Sequence, residues 1–287
     1  MRARLVGALI AVLFVLTLGR ASAMLPGLPG ATRFAIVGDT GTGEKPEYEV
    51  AHELTEYHAQ FPFTFVLMMG DNLYGSTRPR DYEKKFAIPF KPLLDAGVKF
   101  YATLGNHDNP DERLYTPFNM NGQRYYTFKQ GPIEFFVCDS NYMDPKQLAW
   151  LERQLSASRA RWKIAYFHHP LYSTGSTHGS QTDLRELVEP LLEKYGVNIV
   201  FSGHEHFYER IKPQHGIAYF IEGGSAKLRE GDIQNGGLRA AGLDRDRSFM
   251  VAQVSGNTFQ FETISRTGQL VDKGIVEKKK ESTTPTR

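Results

Sequence analysis

Phe63-Thr64-Phe65-Val66-Leu67-Met68-Met69-Gly70-Asp71 is an apolar run that stops at a glycine followed by a carboxylate. A short run rich in aromatic and branched residues reads as a strand buried on both faces. The glycine lets the chain turn sharply out of the sheet, which leaves Asp71 at the strand's carboxyl end. The same ending recurs along the chain. Phe34–Val37 runs into Gly38-Asp39, Val98–Leu104 into Gly105-Asn106-His107, Ile133–Cys138 into Asp139, Trp162–Phe167 into His168, and Asn198–Ser202 into Gly203-His204. Between these runs, Glu49–Gln60, Pro145–Ser156 and Leu184–Tyr195 have helical character, with Leu148, Leu151 and Leu155 spaced for one helix face. The alternation predicts an α/β fold with substantial parallel sheet. In such sheets ligands bind outside the carboxyl ends of the strands. Asp39, Asp71, Asn106, His168 and His204 would therefore meet at one edge.

The last third changes character. Ile217–Ile221, Phe249–Val254, Phe259–Ile264 and Ile275–Val276 read as strands, with turns at Ser255-Gly256-Asn257 and Thr267-Gly268 and no helical pattern after Gly224. Consecutive strands imply antiparallel pairing and a second sheet. At the other end, Arg2 and Arg4 precede the apolar run Leu5–Leu18 and the tripeptide Ala21-Ser22-Ala23. That is the pattern of a secretory signal peptide over residues 1–23, cleaved after Ala23; the alternative is an uncleaved anchor. Residues 24–31 read as a linker, 32–277 as one domain, and 278–287 as a disordered tail. The expected location is periplasmic or secreted, with no stable membrane span once the signal is removed.

Composition narrows the function. The net charge is only +2, so nothing asks for nucleic acid as a partner. Cys138 is the single cysteine, which rules out an intrachain disulfide; inside Phe135-Phe136-Val137-Cys138 it reads as a small buried hydrophobe. One Gly-Asp after a strand is often no more than a helix N-cap. Five strand ends in order are a different matter, and His107, His168, His169, His178, His204 and His206 fall in or near them. Two carboxylates, an amide oxygen and several imidazoles form a mixed nitrogen and oxygen set suited to Fe, Mn, Zn or similar ions.

Taken together, Gly38-Asp39-Thr40-Gly41, Gly70-Asp71-Asn72-Leu73-Tyr74, Gly105-Asn106-His107-Asp108, His168-His169-Pro170 and Gly203-His204-Glu205-His206 resemble the five blocks of the calcineurin-like metallophosphoesterases, and the purple acid phosphatase branch in particular. The resemblance spans about Arg33 to Glu222 and implies a four-layer α/β/β/α sandwich with two mixed sheets. Most of that superfamily begins with Asp-x-His, whose histidine is a ligand. Here Gly41 stands in its place, and Tyr74 would supply a phenolate instead. Thr40 stands where this branch often has tryptophan.

The resemblance implies two metal ions: Fe(III) held by Asp39, Tyr74 and His206, and Fe, Zn or Mn held by Asn106, His168 and His204, with Asp71 bridging. It implies attack on a phosphate ester by metal-bound hydroxide. His107 would contact phosphate and assist the leaving group. Asp108 would orient the His107 imidazole or serve as a turn residue, and His178 would contact substrate from a loop. His169 reads as a packing residue, and Glu205 is open between site and solvent. The expected activity is acid phosphatase action on small phosphate monoesters. A phosphodiesterase acting on cyclic nucleotides or phospholipid head groups is the alternative, followed by a non-catalytic envelope binding protein. The loops Asn109–Asn121, Tyr172–Thr182 and Gly223–Leu243 would select the substrate. The oligomeric state is left open.

Overall fold

The computed structural model describes residues 24–278. The expected signal segment and all but Lys278 of the expected tail lie outside the described residues. In chain order the elements are β1 (Thr32–Val37), α1 (Lys45–Gln60), β2 (Phe65–Met68), α2 (Pro79–Tyr82), a π-helical turn (Glu83–Ala87), α3 (Lys91–Asp95), β3 (Lys99–Ala102), two 3-10 turns (Pro110–Leu114 and Thr116–Phe118), β4 (Tyr126–Gln130), β5 (Ile133–Val137), α4 (Pro145–Ala157), β6 (Trp162–Tyr166), α5 (Thr182–Lys194), β7 (Ile199–Ser202), β8 (Tyr208–Gln214), β9 (Ile217–Glu222), β10 (Arg239–Leu243), β11 (Ser248–Ser255), β12 (Thr258–Ser265) and β13 (Leu270–Glu277).

Two mixed sheets result, ordered β13-β12-β11-β1-β2-β3 and β10-β8-β9-β7-β6-β5-β4. Strands β1, β2 and β3 run parallel, as do β5, β6, β7 and β9. The final strands do not form a sheet of their own, contrary to expectation. β11 pairs antiparallel with β1, so β11, β12 and β13 complete the first sheet. The reason is burial: β11 is apolar on both faces and all but its last residue are buried, which suits an interior strand.

The alternation of side chains across each strand then fills three apolar layers. Ala35 and Val37 face α1 and α3, packing with Val50, Leu54 and Leu93. Phe34 and Ile36 face the other way, into the layer between the sheets, where they meet Phe135, Ile164 and Phe201. On the far side Phe136, Ala165 and Val200 pack against Leu151 and Leu155 of α4 and Val188 and Leu192 of α5. The stack is α/β/β/α. Phe34 shows how the sheets lock together. Its ring stacks on Phe65 of its own sheet at 5.1 Å and meets Phe135 of the other edge-on at 5.6 Å. Truncating such a ring costs about 3–5 kcal/mol.

Residues 24–31 lie against the domain. Leu25 is buried and its N–H donates to the Tyr57 hydroxyl, while Gln253 donates to the Pro26 carbonyl and accepts from the Leu28 N–H. Among the described residues no helix is long and apolar enough to cross a membrane.

Candidate metal centre

The strand ends meet as the sequence predicts. Three of the residues there hold a left-handed backbone that side chains other than glycine rarely adopt: Asp39 (φ 53°), Asp71 (φ 52°) and His204 (φ 69°). Each follows a glycine at the point where a strand leaves its sheet. Strain of this kind costs about 1–3 kcal/mol per residue and gathers at functional sites. It turns both carboxylates and the imidazole onto one edge.

Two triangles of ligand atoms form there. In the first, Asp39 Oδ1 lies 3.0 Å from the Tyr74 hydroxyl and 3.4 Å from His206 Nε2, and those two are 3.3 Å apart. In the second, Asn106 Oδ1 lies 2.9 Å from both His168 Nε2 and His204 Nδ1, which are 3.2 Å apart. Asp71 stands between them, with Oδ1 3.5 Å from His168 Nε2; ligand atoms of Asp39, Asp71 and His168 all lie within 4.8 Å of one another.

The donor set fits cations. Donor atoms about 2.0–2.1 Å from an ion are about 2.8–3.4 Å apart, from octahedral to tetrahedral angles, which covers the sides of both triangles. The protonation of His168 makes the same point. Its Nδ1 lies 2.9 Å from the Met69 carbonyl, which can only accept, so the proton sits on Nδ1. Nε2 then presents a lone pair to the oxygens of Asn106 and Asp71, an arrangement that a cation satisfies and that is the usual posture of a ligating histidine. Burial pushes all three histidines down, His206 to about 4, so their lone pairs are available at neutral pH. The buried Asp39 carboxyl is pushed up, by burial first and by Asp71 second. The Tyr74 phenol is pushed far up, by burial and then by the Asp39 and Asp71 carboxylates. A bound cation reverses the sign of that field.

Position 41 has no room for a side chain. A Cβ at Gly41 would lie 1.9 Å from the Asn72 carbonyl oxygen, so no side chain fits unless the 72–73 backbone moves. Tyr74 enters from that same backbone, its N–H donating to the Gly41 carbonyl at 2.8 Å. Gly105 is comparably tight, since a Cβ there would meet Asp71 Oδ1 at 2.1 Å.

Residues 32–208 match the family model described as calcineurin-like phosphoesterase. The chain belongs to that family. It is 22% identical over 287 residues to purple acid phosphatase 7 of Arabidopsis thaliana, spanning 87% of each chain. It is 24% identical over 268 residues to tartrate-resistant acid phosphatase type 5 of Homo sapiens, spanning 75% of this chain and 82% of the other. Among solved structures it resembles purple acid phosphatase PPD1 from yellow lupin, with TM-score 0.74 and 19% identity over 88% of this chain and 55% of that one. It also resembles GAP50, titled the anchor in the inner membrane complex of Plasmodium, with TM-score 0.75 and 20% identity over 88% and 90%. At these identities the solved structures establish the fold alone. The relatives establish the purple acid phosphatase-like branch, so this phosphoesterase is a metallophosphoesterase hydrolase, and its family implies a dinuclear metal centre.

The remaining residues divide. His107 is exposed; its N–H donates to Asp71 Oδ1 at 3.0 Å and its ring stands 5.0 Å from that of Tyr74. His178 stands 4.3 Å ring to ring from His204, and its Nε2 accepts from Arg229 at 3.2 Å. Asp108, read as either orienting the His107 imidazole or serving as a turn residue, gives its carboxylate oxygens to the neighbouring loops. Its oxygens take the Leu73 N–H at 3.0 Å, the Asn72 amide at 2.8 Å and the Gly105 N–H at 2.8 Å. It thus braces the two loops that carry Tyr74 and Asn106, a service its position in sequence could not disclose. His169 packs against His204 at 4.4 Å ring to ring, and its Nδ1 lies 2.8 Å from the Ser140 hydroxyl.

Three features of this phosphoesterase lie beyond the sequence reading. Glu205 is buried and accepts from Gly179 N at 2.6 Å and the Ser173 hydroxyl at 3.2 Å, with Arg229 3.4 Å away. It ties the loop bearing His178 to the loop bearing Arg229, and burial pushes its carboxyl up to about 7. Lys227 sets its ammonium 4.5 Å from the Tyr74 ring centroid. A cleft of about 440 Å³ opens beside Asn106, lined by Ser140, Asn141, Tyr142, His169 and Gln181 among others. Of these, only the cleft had a signal in the sequence: Asp139 ends a strand, so the loop behind it had to lie at this edge.

Proposed function

We propose that this phosphoesterase is an exported acid phosphatase that hydrolyses phosphate monoesters at a dinuclear centre, with Fe(III) beside Tyr74 and Fe, Zn or Mn at the second position. The observation that carries the proposal is the pair of ligand triangles flanking Asp71. Asp39, Tyr74 and His206 would hold one ion, Asn106, His168 and His204 the other, with Asp71 shared. Bound there, the ions would supply a clamp for a phosphate ester and a more acidic water. The protein's own groups do the rest. His107, exposed over the Tyr74 ring, is placed to give a proton to the leaving oxygen. His178 and Arg229 stand at the rim, where a small phosphorylated substrate enters. Export to the periplasm or medium rests on the basic, apolar and Ala-Ser-Ala pattern of residues 1–23.

A diesterase reading draws on the cleft beside Asn106, which has room for a second ester group. Metal content and phosphate release from an aryl phosphate and from its bis-ester, measured on one preparation, separate the two. Two metals per chain with faster monoester turnover supports the proposal. Faster bis-ester turnover sinks the monoesterase reading, and metal without turnover sinks both.

A further inference from the structure

The loop after β9 rides on the first ligand triangle. The Lys227 N–H donates to the Asp39 carbonyl at 3.2 Å, and the Arg229 N–H donates to the His206 carbonyl at 3.0 Å. Two ligands of one triangle therefore fix where both cationic side chains stand. The two differ in what surrounds their charge. Arg229 is flanked by Glu205 at 3.4 Å and Asp232 at 3.5 Å, so its charge is largely balanced within the protein. Lys227 has no carboxylate within ion-pair distance among the described residues; its ammonium, half-buried, lies over the Tyr74 ring. It is the uncompensated side-chain cation at the rim of the first triangle.

We propose that Lys227 reads substrate charge: its ammonium takes the second negative charge of a phosphate monoester and so sets a preference for monoesters over diesters. The inference rests on the phosphatase reading and names the residue that would give that site its substrate class. The chemistry follows from charge counting. A monoester carries about −1.5 to −2 at neutral pH, whereas a diester carries a single charge. The metals attract both; only the monoester offers a further anionic oxygen to a point charge beyond them. Lysine suits that task, being a compact cation on a flexible stem with rotatable donors. The Tyr74 ring serves as its resting place. If Lys227 did no more than pack on that ring, its loss would weaken mono- and dianionic ligands alike.

Calorimetry on the metal-loaded protein at pH 8, with inorganic phosphate and with dimethyl phosphate, decides the matter. Lys227→Met keeps most of the stem and removes the charge. It should weaken inorganic phosphate about tenfold or more and dimethyl phosphate far less, with unchanged metal content. Lys227→Arg should restore most of the phosphate affinity. Equal weakening of both ligands, or of neither, overturns the proposal. Turnover of an aryl phosphate by the unaltered protein is read in parallel. A protein that shows the expected binding difference yet releases no phosphate refutes the phosphatase reading while leaving the role of Lys227 standing.

Discussion

Replacing Tyr74 with phenylalanine removes one oxygen and keeps the ring, and the structure separates its consequences for the metal-free and metal-loaded protein. Without metal, the hydroxyl donates to Asp39 Oδ1 at 3.0 Å. Asp39 is buried, and its other oxygen already takes the His204 N–H at 3.0 Å, so the variant leaves a buried carboxyl one donor short. A hydrogen bond to a charged group is worth about 1.5–3 kcal/mol. The Asp39 carboxyl is pushed up by burial, and a partly protonated acid gains less from a donor, so the lower end applies. A loss of about 1–2 kcal/mol lowers Tm by about 2–8 °C in a domain of this size. With iron the phenylalanine variant would lose one of the four protein ligands proposed for its position, counting the shared Asp71, so it should bind the first ion less tightly. Oxidised, iron-loaded wild type should be coloured by charge transfer from phenolate to Fe(III), and the variant should not. Thermal melts with and without chelator, iron content and visible absorbance give all three readings. Colourless wild type with Fe(III) bound, or a variant as coloured as wild type, refutes the tyrosinate. An unchanged Tm of the metal-free variant refutes the hydrogen-bond argument.

Chelation should abolish turnover, and Asp71→Ala should do the same with loss of at least one ion per chain; full metal content and near-normal turnover in that variant would end the two-metal reading. His107→Ala should retain both metals, because the bond to Asp71 comes from the backbone N–H. Its turnover should fall about 10²–10⁴-fold on alkyl phosphates, the range for general acid assistance, and much less on nitrophenyl phosphate; equal losses would exclude proton donation. Glu222 is fully buried, and burial pushes its carboxyl up to about 8 against the single Ser248 hydrogen bond at 2.9 Å. The folded state therefore holds a proton that the unfolded chain has released between about pH 4.5 and 8, and stability must fall as pH rises through that window. Glu222→Gln should flatten that fall, by on the order of a few kcal/mol at pH 8, in urea midpoints compared at pH 5 and pH 8; parallel curves would show that Glu222 is ionised in the fold.

How much of this was legible in the sequence depends on what each residue answers to. The interior strands announce themselves because burial on both faces demands unbroken apolar runs, as in Phe34–Val37 and Phe65–Met68. The strands without such a signal lie at or next to sheet edges. β4, β8 and β10 pass unread, and only Ile275–Val276 of β13 is visible, because a strand at or beside an edge buries fewer residues; β8, next to the edge strand β10, carries Tyr208-Glu209-Arg210-Ile211-Lys212-Pro213-Gln214. Residues 24–31 read as a linker for a related reason. Their hold on the domain comes from Tyr57 and Gln253, partners too distant in sequence for local patterning to register.

The site divides along the same line. The sequence by itself determined which polar groups reach the site edge and in what order, since a residue that ends a buried parallel strand is carried to the sheet's carboxyl edge whatever the loops do. It also determined that position 41 is a glycine, which offers no side-chain donor, and that a phenol follows Asp71 three residues on. Only the tertiary structure decided what Asp108, Glu205 and Lys227 do. Each acts across a gap between loops: Asp108 on Leu73, Glu205 on Gly179 and Arg229, Lys227 on Tyr74. Strand periodicity fixes where a loop begins and ends. The direction of a side chain within the loop is fixed by the donors and charges that neighbouring loops bring to it, and those exist only once both sheets have closed on their shared core.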